Sequence, residues 1–413
     1  MLPLLLSACA PPPCGAGLGR DAAGGCVVLG EPSEPWDGAS LEPLAPPRLA
    51  RRMSLDLRGV LPSVAELDQV EANPGSLDTL RAAWLGDPRL EGRVMEMLGD
   101  TWHTRVDEFL IHYFEYPELA TDPSIEYAFQ RAYGEEPLRL AAHIGVQDLP
   151  WTDILTTDLT MATPLSASLL PVDYPDGATG WQEAHYTDGR PAVGVLATSG
   201  LWWRYYSTAR NLNRGRAAAV MRLLICEDLL ARPISTSSDG LGGSTTSVRD
   251  DPGCMGCHSA LDPVAATLFG FYAETPQHGD ESGRYHSERE PLGPALLEVT
   301  PAWFGQPVDG LEGLSWAIAD DPRFVMCAAR TFTEALWHRP VDLTDRQDAA
   351  RLQSHRDAFA EGELRLRPLL EAILEGDAYG AGGDPADRER TIRWLGPALM
   401  ASAIEDLSGF RWV

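Results

Sequence analysis

The run DDPGCMGCHSALDP, residues 250–263, places Cys254, Cys257 and His258 in the spacing C-x-x-C-H. Such a run constrains the surrounding fold, because two sulfurs and the next imidazole must be presented together to one ligand or one reaction. With 7 Cys and 9 His in 413 residues, chance supplies roughly 0.003 matches to this pattern, so it has a chemical reason. Three chemistries use it. A structural zinc needs four ligands, usually from a second pair, and the nearby candidates are His278 and His286, at the two ends of a polar loop. A redox dithiol sits at the start of a helix after a strand, whereas the preceding ISTSSDGLGGSTTSVRDDPG is Ser, Gly and Thr without a strand pattern. Covalent haem needs only what is present: two thiols for the two vinyl groups and an adjacent imidazole for the iron. The expectation is haem c, with Cys254 and Cys257 as thioethers and His258 as the proximal iron ligand.

A c-type haem usually takes a second axial ligand, Met or His. Met326 is the candidate. On its expected helix Phe324, Ala328, Thr331, Phe332 and Ala335 share one arc, and Met326 points away from it on the side of Trp337. A gap-filling Met is the plain alternative. His338, His286 and His278 are further candidates, while Met255 is too close to the thioethers to reach the opposite face. If none binds, the sixth position is open to ligands or peroxide. In WHTRVDEFLIHYFE, Glu108, His112 and Glu115 fall on one helical face, with His103 one turn before Asp107. They read as a solvated polar face rather than a metal site, since no second Glu-x-x-His helix accompanies them; His112 is also a conceivable distal ligand. LWWRYY, residues 201–206, reads as core or as the lining of a haem edge. No G-x-S-x-G, H-E-x-x-H or P-loop occurs, and the residues assign no catalytic group.

Charge bounds the partners. Sixty acidic against 33 basic side chains give a formal charge of −27, which repels phosphate backbones and anionic lipid. Nucleic acid is therefore not expected; a basic redox partner protein is, with a small-molecule partner or a plain solubility role for the acidic surface as alternatives. The opening MLPLLLSACAPPP ends its apolar run in Leu6-Ser7-Ala8-Cys9, which resembles a bacterial lipoprotein processing site, although no charged segment precedes it. The expected location is the cell envelope, facing the periplasm or on the outer membrane. Attachment would be through a lipid on Cys9, because no segment has the roughly 18 apolar residues that span a bilayer. With Cys9 acylated and two cysteines on the cofactor, four remain for an oxidising compartment, expected to pair as Cys14 with Cys26 and Cys226 with Cys327. Cys226 and Cys327 also suit the role of small core residues.

The expected fold class is mainly α with little β: a multi-helix N-terminal region followed by a helical cytochrome-c-like domain. Residues 1–9 are a signal remnant, and 10–45 a Pro- and Gly-rich tether with one looped knot. Residues 46–200 form a helical region without assigned function, 201–380 the haem-binding region, and 381–413 a helical tail. Ser63 followed by Glu66 is a capping box. Gly75 and Asp87-Pro88 break the early helices, residues 120–200 are mixed, and NRGRAAAVMRLLICEDLLARP is a strong helix.

Several stretches resemble the planctomycete-type cytochrome c proteins, large exported bacterial proteins in which domains of unknown function surround a C-x-x-C-H. RRMSLDLRGVLPSVAELD, NRGRAAAVMRLLICEDL, CMGCHSALDPVAATLFGF with its Asp262-Pro263, and DPRFVMCAARTFTEALWHRPV carry the resemblance, which touches most of residues 48–380. YAETPQHGD, after the motif, departs from the family pattern. The resemblance implies a mostly helical exported haem c protein with Cys254, Cys257 and His258 in the roles given above. A single-haem electron-transfer lipoprotein is the leading expectation. The alternatives are a haem enzyme or sensor with an open sixth position and a zinc-binding scaffold.

Overall fold

In the computed structural model, residues 18–20, 26–28, 42–105, 122–208, 210–231, 252–271, 283–383 and 396–410 are described. Helix makes up 65 % and strand 7 %, so the fold is mainly α. None of the described helices is long and apolar enough to cross a membrane.

The first four helices are short because Gly and Pro interrupt the chain: α1 Pro46–Arg58, α2 Val64–Ala72, α3 Ser76–Trp84 and α4 Leu90–Trp102. At the start of α2 the Ser63 hydroxyl accepts from the Glu66 N–H, and Glu66 accepts in return from the Ser63 N–H at 2.7 Å. Arg58 forks onto the same carboxylate at 3.1 and 3.2 Å and stacks over Trp84, whose indole N–H also donates to Glu66 at 3.0 Å. Burial alone would raise the Glu66 carboxyl; the bonds from Arg58, Ser63 and Trp84 outweigh it and hold it at about 2. One cap thus ties three helices together.

The long helix α5, Glu126–Val146, continues through Pro137 and packs on α4, on α6 (Ser199–Arg204) and on a small antiparallel sheet. The sheet has the order β1-β3-β2, from β1 Leu159–Ala162, β2 Val172–Asp173 and β3 Gln182–Tyr186, with Leu159 opposite His185 and Val172 opposite Tyr186. Glu136 of α5 is the stitch. Its buried carboxylate accepts from the Tyr186 hydroxyl, from Thr160 Oγ1 at 2.8 Å and from the Gly200 N–H at 3.1 Å. Burial raises this carboxyl above the usual range against the pull of those three donors.

The second half contributes α7 Arg214–Ile225, α8 Pro252–Ala265, α9 Gly310–Ala319, α10 Pro322–Trp337, α11 Arg346–Glu361 and α12 Leu366–Glu375, with α13 Pro397–Ser408 in the tail. Helix α10 packs on α7, α11 and α4, and α12 packs on α5. Among the described residues one apolar cluster joins side chains from Ala50 to Tyr379, on both sides of residue 200. A short pairing of Glu42–Pro43 with Ala381–Gly383 brings the two ends together, and Arg52 donates to the carbonyls of Tyr379 and Ala381 at 2.5 and 2.9 Å.

Candidate functional site

The C-x-x-C-H opens α8. Cys254, Cys257 and His258 stand at i, i+3 and i+4, the spacing that puts side chains on one helical face. A helix start also suits a redox dithiol; the segment 232–251, where its strand would lie, is outside the described residues. Both thiols are unbonded and half-buried, and the Cys257 Sγ faces the Leu229 carbonyl at 3.9 Å.

His258 is held from behind. Its Nδ1 lies 2.9 Å from Oδ1 of Asp262, one turn on, and the Asp262 side chain is only 4 % exposed. Arg214, the first residue of α7, donates through Nε to Oδ1 at 2.7 Å and through Nη2 to Oδ2 at 3.0 Å. Burial would raise the Asp262 carboxyl, but His258 and Arg214 hold it down at about 2, so it stays ionised and accepts only. The Nδ1 atom then donates the hydrogen, and Nε2 has no hydrogen-bond partner among the described residues. An imidazole that binds a metal through Nε2 needs this tautomer.

Helix α7 backs the motif from end to end. Its first residue grips Asp262 late in α8, and Leu229, just beyond its last turn, meets Cys257 early in α8, so the two helices run antiparallel. Cys226 closes α7 in the left-handed region and is bonded to Cys327 of α10, with a Cα–Cα distance of 5.2 Å. Of the two pairings expected from the cysteine count, this is the one the structure brings together. Cys9 and Cys14 lie outside the described residues, and with them the lipid anchor and the bond to Cys26.

Met326, beside Cys327, is half-buried and packed on the main core. His338 directs Nε2 at Asp56 at 2.8 Å, which removes that atom from service as an iron ligand. His286 bonds Glu288 through Nδ1 at 3.0 Å, with Nε2 buried and unpartnered. His103 closes α4 in the left-handed region, and its carbonyl accepts from Arg204 at 2.6 Å. Met255 is half-buried on α8. His278, Asp107, Glu108, His112 and Glu115 lie outside the described residues. Trp202 and Trp203 of LWWRYY are core, and Trp202 donates to the Leu196 carbonyl at 2.8 Å. Among the described residues no group of three or more His, Cys, Asp or Glu side chains converges to hold a metal ion.

Sequence reasoning missed Arg214 and Asp262 as partners of His258, although the i, i+4 spacing of His258 and Asp262 was a usable signal. It also missed Arg216, which lies fully buried with carbonyls as acceptors: Tyr205 at 2.9 Å from Nε, Phe271 at 2.6 Å from Nη1 and Trp202 at 3.2 Å from Nη2. Burial pulls its guanidinium down to about 9. The residue joins the end of α6, the start of α7 and the chain leaving α8.

No protein-family model, no curated protein and no solved structure matches this chain.

Proposed function

We propose that the protein is an exported single-haem c-type cytochrome, lipid-anchored through Cys9, that passes electrons in the cell envelope. The observation that carries the reading is the arrangement on α8: two unbonded thiols and, on the same face, an imidazole whose Nδ1 is engaged by Asp262 and whose Nε2 is not. Bound there, haem c would supply a one-electron iron couple. The protein's own part is to hold it. Cys254 and Cys257 fix the porphyrin edge. His258 offers Nε2 to the iron, and Asp262 sets the ring's tautomer and rotation. Arg214 keeps Asp262 ionised and in place, and the bond between Cys226 and Cys327 pins the helix behind the motif to α10, which offers Met326 as the sixth ligand. The excess of acidic side chains steers a basic redox partner.

Two observations favour a second reading, a haem protein with an open sixth position: His338 is committed to Asp56, and Met326 packs on the core.

The test is the reduced optical spectrum of the exported, haem-loaded chain. Low-spin six-coordinate bands that vanish in His258→Ala support electron transfer, and high-spin bands support the second reading. A colourless chain whose Cys254 and Cys257 are both open to alkylation sinks both.

A further inference from the structure

A cleft of about 770 Å³ opens between α5 and the β2–β3 hairpin, on elements that carry no part of the C-x-x-C-H. We propose that it binds a neutral saccharide. Its volume falls within the roughly 300–1,000 Å³ of small-molecule sites. Its floor is apolar, from the buried Met161 and Ala184, and its walls are polar.

The hairpin loop sets two aromatic rings at its two ends, Tyr174 and Trp181. The Tyr174 hydroxyl donates to the Gly180 carbonyl at 2.8 Å, where Gly180, at φ +71°, takes a left-handed conformation that suits glycine. Across the cleft, one turn apart on α5, stand Arg139 and His143. The Arg139 guanidinium lies 5.2 Å from the Trp181 ring centroid and is steadied by Glu135 at 3.1 Å, which fixes the indole. His143 meets Glu183 of β3 at 3.1 Å.

Charge decides the ligand class. Glu91, Asp173 and Glu183 face a single guanidinium, so a phosphate or carboxylate ligand is repelled. Each of those carboxylates is nevertheless engaged, Glu91 by Arg139 at 3.5 Å, Glu183 by His143, and Asp173 by the His185 N–H, so the lining is not a bare anionic trap for a cation. Each carboxylate keeps lone pairs beyond the bond that engages it, so the lining offers acceptors and N–H donors beside aromatic rings. The hydroxyls of a sugar ring take both, and its C–H face packs on aromatic rings.

The experiment titrates the whole chain with neutral gluco-, xylo-, manno- and chito-oligosaccharides by calorimetry, with spermidine and citrate as charged comparators. Saturable one-to-one binding of at least one neutral sugar is expected, weakened about tenfold or more in Trp181→Ala, which corresponds to about 1.4 kcal/mol or more. Glu183→Gln, at an exposed position, should weaken it severalfold with the far-UV spectrum unchanged. The proposal is overturned if no neutral sugar binds, if the charged comparators bind instead, or if Glu183→Gln and a folded Trp181→Ala both bind as the parent does.

Discussion

Arg214 grips both carboxylate oxygens of Asp262 from 48 residues upstream, at 2.7 and 3.0 Å, while the same Oδ1 receives His258 at 2.9 Å. The pair lets one residue of α7 set the rotation of an imidazole on α8. Replacing Asp262 by Asn keeps the shape but removes the charge, leaving Arg214 without its counterion. Losing charged hydrogen bonds in a part-buried pair costs about 2 kcal/mol, so the denaturant midpoint of Asp262→Asn should fall, and in haem-loaded protein the reduction midpoint should rise because a neutral acceptor makes His258 a weaker donor. An unchanged midpoint in both measurements would remove Asp262 from this role.

The bond between Cys226 and Cys327 closes a loop of 101 residues. A cross-link of that span restricts the unfolded chain by about 4.7 kcal/mol. The double change to Ala at both positions should therefore lose about that much in guanidinium unfolding. A loss under about 1 kcal/mol would mean that α7 and α10 hold together by packing alone.

His355 gives the fold an acid-sensitive step. Thr333 donates its hydroxyl to the Ala329 carbonyl at 2.7 Å and so accepts from His355 Nδ1 at 3.0 Å, which sets a neutral ring against Trp337. Burial, reinforced by Arg351 and only partly opposed by Asp377, lowers the imidazole from 6.5 to about 4. A lowered histidine contributes its stability in full above pH 6.5 and loses it as pH falls towards 4, because in that window only the unfolded chain takes up the proton. The unfolding midpoint should drop between those limits, and His355→Gln should flatten that part of the profile. A parent profile already flat there refutes the assignment.

Gly200 lies against α5 so closely that a Cβ would overlap the Tyr133 carbonyl oxygen, and its N–H serves Glu136. Gly200→Ala must push α6 off α5 and weaken that bond, at a cost of about 3 kcal/mol or more. Thermal melts of the variant, compared with Gly256→Ala, where nothing crowds the added methyl, separate crowding from the ordinary effect of a helical glycine. Equal melting temperatures would contradict the close approach.

Local signals were legible and distant ones were not. The capping box at Ser63 and Glu66 needs only four consecutive positions, and the apolar periods around α7 and α10 were plain, so the mainly helical class followed. The sheet was not legible as a sheet: its strands have four, two and five residues, and along β3 only Ala184 is buried, so alternation had no length over which to show. Helix α5 was hidden by Pro137, which local rules read as a break, yet burial of α5 along most of its length carries it through. At the site, cysteine and histidine spacing drew attention to Cys254, Cys257 and His258, which share one face of α8, whereas Arg214 lies too far along the chain from Asp262 to leave any periodic trace. The one-turn spacing of His258 and Asp262 was visible, but gave no hint that Asp262 would be buried.

The apolar cluster that joins Ala50 to Tyr379 has a consequence for biosynthesis. A chain emerging from a ribosome has α4 and α5 long before α10 and α12 arrive to cover them, so the early helices wait with apolar flanks bare. A fragment ending near residue 200 lacks α10 and α12, which pack on α4 and α5, and so would leave those apolar flanks open to any folding helper that binds exposed chain.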